Sequence, residues 1–176
     1  MAFAHDTTAA LQAAVALVNS AVPPDTMTCQ DELDAFFAAH DYSGARTHDA
    51  AELDAVRALR GPLRTLLTSD RDEAVEIVNR ILAERRAVPA LIRHDGWDYH
   101  LHAIGSDAPL ADRIAVETAM AMIDLIRAGE LSRLSLCAES SCVGIVLDLS
   151  RNRSRRFCST ACGNRVAVAA YRARKR

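Results

Sequence analysis

The chain has 176 residues, half of them hydrophobic, and a formal net charge of -2 at pH 7. This size and composition allow one larger domain with a buried core and one small module. No segment approaches the ~20 apolar residues of a membrane span, and the first residues lack the basic region of a secretory signal. We therefore expect a soluble, cytoplasmic protein without a membrane partner.

The N-terminal third predicts helices. Apolar residues recur at helical spacing from Leu11 to Val22, and Pro23-Pro24 ends this helix. A short helix over 31–37 follows, with Leu33, Phe36 and Phe37 on one side. Cys29 precedes it, far in sequence from the other four cysteines, and we interpret it as a small apolar side chain or an idle thiol.

Two more helical regions come next. Thr47 is placed to cap a helix running to Leu67, but Gly61-Pro62 interrupts the pattern, so we expect a kink or two consecutive helices. Asp70 and Glu73 begin another helix, which continues to about residue 86. Its predicted buried stripe consists of Val75, Val78 and Leu82.

Residues 88–93 and 97–103 predict a β-hairpin with a tight turn at Asp95-Gly96. Alternation places Trp97, Tyr99, Leu101 and Ala103 on one face, expected to be buried, and Asp98, His100 and His102 on the other, a solvent or pocket face. Two histidines at this spacing can bind one metal ion, but polar residues on the outer face of a half-buried strand are ordinary. We interpret this trio as a surface rather than a site.

A long apolar helix is predicted from the loop at 105–109 to Arg127, ended by Gly129. Its apolar positions cover more than a narrow stripe, so it is expected to be the central helix of the larger domain. Met120 and Met122 suit either a ligand cavity or the core, and core filling is the commoner use of methionine.

The four remaining cysteines form two close pairs, Cys137/Cys142 and Cys158/Cys162. Two close pairs are typical of a structural zinc site with four thiolate ligands, whereas disulfides are rare in a reducing cytoplasm. Around them we expect a strand over 143–147, a returning strand over 155–157 and a helix from Ser159 to about residue 174. These elements together suggest a treble-clef-like finger.

Charge is divided sharply along the chain. Residues 150–176 contain nine Lys or Arg and no acidic residue, whereas residues 1–149 hold all 23 acidic residues and 12 basic ones. Such asymmetry favours a polyanionic partner for the basic segment, most simply nucleic acid. The alternative is that the basic segment docks on the acidic part of its own chain.

The sequence Cys162-Gly163-Asn164-Arg165 resembles the CGNR zinc-finger family, as do the stretches 147–152, 154–159 and 171–174. The preceding chain resembles, more loosely, the ABATE domain that accompanies this finger, including 17–20, the Trp97 strand and the long helix. The resemblance implies an α+β protein with a mainly helical regulatory domain at 1–130 and a zinc finger at 131–176. It also implies that Cys137, Cys142, Cys158 and Cys162 bind zinc and that the protein regulates stress-induced transcription.

We therefore expect a DNA-binding regulator with one structural Zn²⁺, acting on double-stranded DNA, and plausible as a homodimer. The residues expected to contact nucleic acid are Arg151, Arg153, Arg155, Arg156, Arg165, Arg172, Arg174, Lys175 and Arg176. Among them Arg155, Arg156 and Arg165 are alternatively expected to donate hydrogen bonds to the zinc-bound sulfur atoms. A zinc-stabilised protein-interaction module is the competing hypothesis. No nucleophile-base pattern or phosphate loop suggests an enzyme.

Overall fold

The computed structural model describes residues 3–93 and 98–175. The predicted turn at Asp95-Gly96, the predicted face of Trp97 and the predicted contact of Arg176 lie outside them. The elements in chain order are α1 (His5–Asn19), α2 (Gln30–Ala39), α3 (Ala50–Ala58), α4 (Arg60–Thr68), α5 (Arg71–Glu84), β1 (Ala90–Ile92), β2 (His100–His102), α6 (Leu110–Arg127), a 3-10 turn (Leu131–Arg133), β3 (Leu134–Leu136), β4 (Ile145–Leu147) and α7 (Thr160–Arg174). The predicted α+β class is confirmed.

Helix α6 is the centre of the helical core. It packs against α1, α3 and α5, and Ile114, Met122 and Leu125 on it are fully buried. Gly129 ends the segment with a φ of +67°, a left-handed conformation that glycine adopts without a steric penalty. In the described part of the chain, no helix is long and apolar enough to cross a membrane.

Two helix predictions need correction. The first concerns the helix cap, because Asp49, not Thr47, accepts the backbone N–H of Glu52 and begins α3. The second concerns the α5 stripe, which consists of Ala74, Ile77, Val78 and Ile81, whereas Val75 is 38% exposed. Val75 lies about 160° from Ile77 around the helix axis, so both cannot face α6.

Gly61-Pro62 separates two helices, as one of the two alternatives predicted. Helix α3 ends at Ala58, and α4 begins at Arg60. Pro62 thereby falls in the first turn of α4, where a backbone N–H has no partner within the helix and its absence costs little.

In the first hairpin the histidine face turns inward, which is the pocket alternative of the prediction, and Leu101 on the opposite face is exposed rather than buried. Strands β1 and β2 pair antiparallel, with Leu91 opposite Leu101. Leu101 is 43% exposed, while the face carrying His100 and His102 turns inward and is half-buried. Asp6 Oδ2 at the start of α1 accepts the Leu101 N–H at 3.1 Å, which ties the edge of β2 to α1. Ala103 is buried, as predicted.

The second hairpin also differs from the prediction. Strand β4 pairs with β3, which precedes the first cysteine, and residues 155–157 form no strand. The reason is Asp148, whose carboxylate accepts the backbone N–H groups of Ser150 and Arg155 and closes the loop between them. Ile145 and Leu147 of β4 belong to the helical core, so this hairpin joins the finger to the helices.

Candidate metal centre and the basic helix

The two hairpin strands and α7 bring the four predicted cysteines together. Cys137 follows β3, Cys142 lies in the turn before β4, and Cys158 and Cys162 flank the start of α7. Their four sulfur atoms all lie within 4.8 Å of one another. The Cys142–Cys158 and Cys158–Cys162 sulfur distances are 3.5 and 3.7 Å.

These distances fit a tetrahedral metal site. A Zn–S bond of about 2.3 Å in a tetrahedron places neighbouring sulfur atoms about 3.8 Å apart. The five cysteines of the chain are all unpaired thiols in the structure, and Cys29 is exposed and lies outside the cluster. A cluster of four cysteine side chains is a ligand set typical of structural Zn²⁺.

The backbone around the sulfur atoms is adapted to them at Gly144. A Cβ atom on this residue would lie 2.8 Å from Cys158 Sγ and 3.3 Å from Cys142 Sγ, which is too close. The Gly144 N–H points at Cys142 Sγ at 3.4 Å, and the Cys158 N–H points at Cys137 Sγ at 3.5 Å. Such N–H groups stabilise negative charge on sulfur, the form in which cysteine binds a metal.

Electrostatics at the start of α7 favour a thiolate. Hydrogen bonds from Ser159 and from Arg165, whose Nη2 lies 3.1 Å from Cys162 Sγ, lower the pKa of Cys162 to about 6. Ser159 also caps α7, as predicted, by accepting the Cys162 N–H at 3.3 Å. Burial and the neighbouring thiols raise the pKa of Cys158 to about 12, so a bound cation is needed to make this residue a thiolate.

The predicted nucleic-acid contacts separate into bound and unbound side chains. Arg165 serves the sulfur cluster and lies 3.8 Å from Glu139, so it takes the role predicted for donors to sulfur. Arg153 forms an ion pair with Glu130 at 2.6 Å. Arg156 and Lys175 lie over the rings of Phe157 and Tyr171.

The other predicted contacts within the described residues are Arg151, Arg155, Arg172 and Arg174. All four are exposed, and their side chains form no ion pair or hydrogen bond with the described part of the protein. Two of them, Arg172 and Arg174, lie in the last turn of α7.

Helix α7 projects from the body of the molecule. It is 15 residues long, and Cys162 in its first turn is its only buried residue. Val168 is 48% exposed and Tyr171 is 52% exposed. A helix of this length is marginally stable in water by itself, so it depends on the cysteines at its start or on a partner.

Three polar residues that support the finger were not identified from the sequence. Asp148 closes the loop to Arg155, Arg133 donates to the carbonyl oxygen of Asp148 at 2.9 Å, and Glu139 accepts the Ser141 N–H and hydroxyl. Each is buried. The signal available for Asp148 was the serine two residues later, a spacing typical of a side-chain turn.

Comparison with known proteins gives two family matches in chain order. Residues 11–129 match the ABATE family, described as "Putative stress-induced transcription regulator". Residues 133–175 match the CGNR zinc finger, which contains all four clustered cysteines. Comparison with the curated proteins gives no match.

Proposed function

We propose, from the premise that this chain belongs to the ABATE family and carries a CGNR zinc finger over residues 133–175, that it is a zinc-containing transcription regulator whose finger binds double-stranded DNA. The helical domain supplies the regulatory part of the molecule. The protein is not an enzyme in this proposal.

The metal in this proposal is one structural Zn²⁺ held by Cys137, Cys142, Cys158 and Cys162. Four thiolates fill the tetrahedral positions, which leaves none for the water or substrate that catalysis requires. The metal's work is to fix the hairpin and the start of α7 relative to each other, because so small a module has little core of its own.

The observation that carries the proposal is a basic helix that is exposed beyond its first turn and whose Arg172 and Arg174 form no ion pair with the described residues. Helix α7 has no acidic residue, carries Arg172 and Arg174 in its last turn, and is followed by Lys175. Its 15 residues span about 22 Å. Four alanines, Ala167, Ala169, Ala170 and Ala173, keep its middle narrow, which suits entry into the ~12 Å wide major groove.

The competing function is a zinc-stabilised module that binds an acidic protein surface. Exposed apolar side chains on the same helix favour it, namely Val166, Val168 and Tyr171 at 36%, 48% and 52% exposure. Protein interfaces use such aromatic and aliphatic anchors. DNA is favoured here because the positive charge is concentrated at the C-terminal end of α7 and in the loop over residues 151–156 that precedes this helix.

The test is a salt titration of duplex DNA binding with the full-length zinc-loaded protein. In the variant, Arg172, Arg174 and Lys175 are replaced by Gln. In the matched control, Arg71, Arg80 and Arg86 are replaced by Gln, because these three arginines are exposed in or just after α5 and make no ion pair among the described residues. Both triple variants remove three positive charges.

We expect log affinity to fall linearly with log salt, and the slope to decrease by about 3 in the α7 variant only, since each lost phosphate contact removes about 0.9. Equal weakening of DNA binding by both variants would mean that only the total charge matters and that α7 is not the contact surface. No binding by the wild type at low salt would overturn the DNA proposal in favour of the protein-interaction module.

A further inference from the structure

A cavity of about 700 Å³ lies between α1, α6 and the inward face of β2. This volume is within the range of small-molecule sites. Its walls are mostly apolar, with contributions from Ile92, Ala103, Ile104 and Met120. No described residue of the zinc finger is in the lining, so the cavity is separate from the DNA-binding surface proposed above.

The cavity exists because α1 is narrow where it crosses α6. The residues that α1 turns toward it include Ala9, Ala10 and Ala13, which occupy little of the space between the helices. Helix α6 presents the stripe Arg113, Glu117, Met120, Asp124 and Arg127 along its length. A groove with small residues on one side and polar groups on the other results.

Tyr42 supplies an unsatisfied polar group in the lining. Its hydroxyl oxygen is buried and has no hydrogen-bond partner in the described part of the protein. Burial, with the nearby Glu117 charge, raises the pKa of Tyr42 well above its usual value, so the hydroxyl remains a hydrogen-bond donor. Buried hydroxyl groups are nearly always paired in folded proteins, which indicates that something else accepts this hydrogen bond.

The wall that carries Tyr42 is preformed. Gly44 has a φ of +94°, and a Cβ atom there would lie 2.4 Å from the carbonyl oxygen of Ser106. The Ala45 N–H donates to that same oxygen at 2.8 Å. Arg113 donates to the carbonyl oxygens of Ser43, Ala45 and Ala108, which fastens the two loops to α6.

The charges of the lining favour a cation. Among the described residues, the lining contains four carboxylates and two guanidinium groups, an excess of two negative charges when its histidines are neutral. Arg113 directs its donors at carbonyl oxygens of the wall, and Arg127 is exposed. Low-dielectric walls strengthen the field of the two carboxylates of α6. Glu117 lies 3.8 Å from His102 Nδ1, and Asp124 accepts the Thr7 hydroxyl at 2.6 Å, a neutral partner that leaves its charge in place.

We propose that this cavity binds a small amphipathic organic cation. Its apolar body lies against the alanines of α1, its positive charge lies near Glu117 and Asp124, and an acceptor atom on it takes the hydrogen bond of Tyr42. The proposal stands on the cavity and does not depend on DNA binding.

The test is calorimetric titration of the full-length zinc-loaded protein with tetraphenylphosphonium and with tetraphenylborate, which have nearly the same size and apolar surface but opposite charge. Ala9→Phe fills the cavity, and Gln12→Phe is its control on the exposed side of α1. Asp124→Asn and Glu117→Gln remove one charge each with little change of shape.

We expect one phosphonium ion to bind per chain. This binding should be lost in Ala9→Phe and retained in Gln12→Phe. Each charge-removing variant should weaken it about tenfold, and either variant alone suffices if the other does not fold. Tetraphenylborate binding that survives Ala9→Phe reports on the basic finger and not on the cavity. Absent phosphonium binding, or binding that Ala9→Phe leaves unchanged, would overturn the proposal.

Discussion

Gly144 and Asp148 define the metal centre although neither supplies a ligand. Gly144 lets two sulfur atoms approach the backbone more closely than a Cβ atom would permit. Asp148 holds the backbone N–H groups of Ser150 and Arg155 and so sets the path of the chain toward Cys158. The geometry of the cluster therefore depends on residues between the cysteine pairs as much as on the pairs themselves.

Replacing Gly144 by Ala should weaken zinc binding at least tenfold, because the added methyl group lies 2.8 Å from Cys158 Sγ. Competition with a chromophoric zinc chelator measures the effect. Gly61→Ala is the matched control, since no atom lies within 4 Å of a Cβ built there. It should leave zinc affinity unchanged. Unchanged zinc affinity in Gly144→Ala would show that the loop relaxes around the methyl group.

The four cysteine ligands could be identified from the sequence, but the roles of the residues around them could not. Cys137, Cys142, Cys158 and Cys162 were recognisable because metal ligands recur at short, regular spacings. The role of Gly144 depends on how closely the backbone approaches sulfur from another segment, which spacing does not encode. The roles of Arg153 and Arg165 depend on acidic partners, Glu130 and Glu139, that only the fold brings near.

At the scale of elements, β4 belongs to both parts of the molecule. Its side chains Ile145 and Leu147 are buried with the helices, while its N-terminal end adjoins the sulfur cluster. Asn19, the last residue of α1, fixes this position with two hydrogen bonds. Its amide donates to the Ile145 carbonyl oxygen at 2.8 Å and accepts the Ile145 N–H at 2.7 Å.

Asn19→Ala should lower the free energy of unfolding by about 1–3 kcal/mol, because it leaves two polar groups of β4 without partners. Denaturant titration of the zinc-loaded protein measures the loss. Asn152→Ala removes the same amide from an exposed turn and is expected to change stability by less than about 0.5 kcal/mol. Equal effects of the two substitutions would mean that the side-chain bonds of Asn19 add nothing beyond the burial of β4.

In the two hairpins, most of the strands could be predicted from the sequence, but the orientation of the first hairpin and the pairing of the second could not. Alternation correctly separated the two faces of β2, but which face turns inward depends on how the strand is placed against α1, whose Asp6 lies almost a hundred residues earlier. Likewise β4 was correctly predicted as a strand, but with the wrong partner. The predicted partner, residues 155–157, does not pair with it because the Asp148 loop holds that segment, and β3 pairs with β4 instead. Periodicity identifies an element, and long-range polar partners decide what it packs against.

At the scale of the whole molecule, α1 connects the cavity and the finger. Its first turns line the cavity with Asp6, Ala9 and Ala13, and its last residue holds β4. Helix α7, by contrast, has its only buried residue in the sulfur cluster. The molecule thus consists of a helical body with β4 attached to it and a projecting helix that depends on the metal centre.

Loss of the metal should therefore unfold α7 and leave α1–α6 folded, because β4 remains held by core burial while α7 has no other anchor. Cys158→Ser, compared with Cys29→Ser, makes the same chemical change inside and outside the cluster. Amide hydrogen exchange should show residues 160–174 fully exchanged in Cys158→Ser, with 5–19 and 110–127 as protected as in the wild type and in Cys29→Ser. Loss of protection in α1 and α6 together with α7 would instead make the finger and the helical body one cooperative unit, in which the metal stabilises the entire chain.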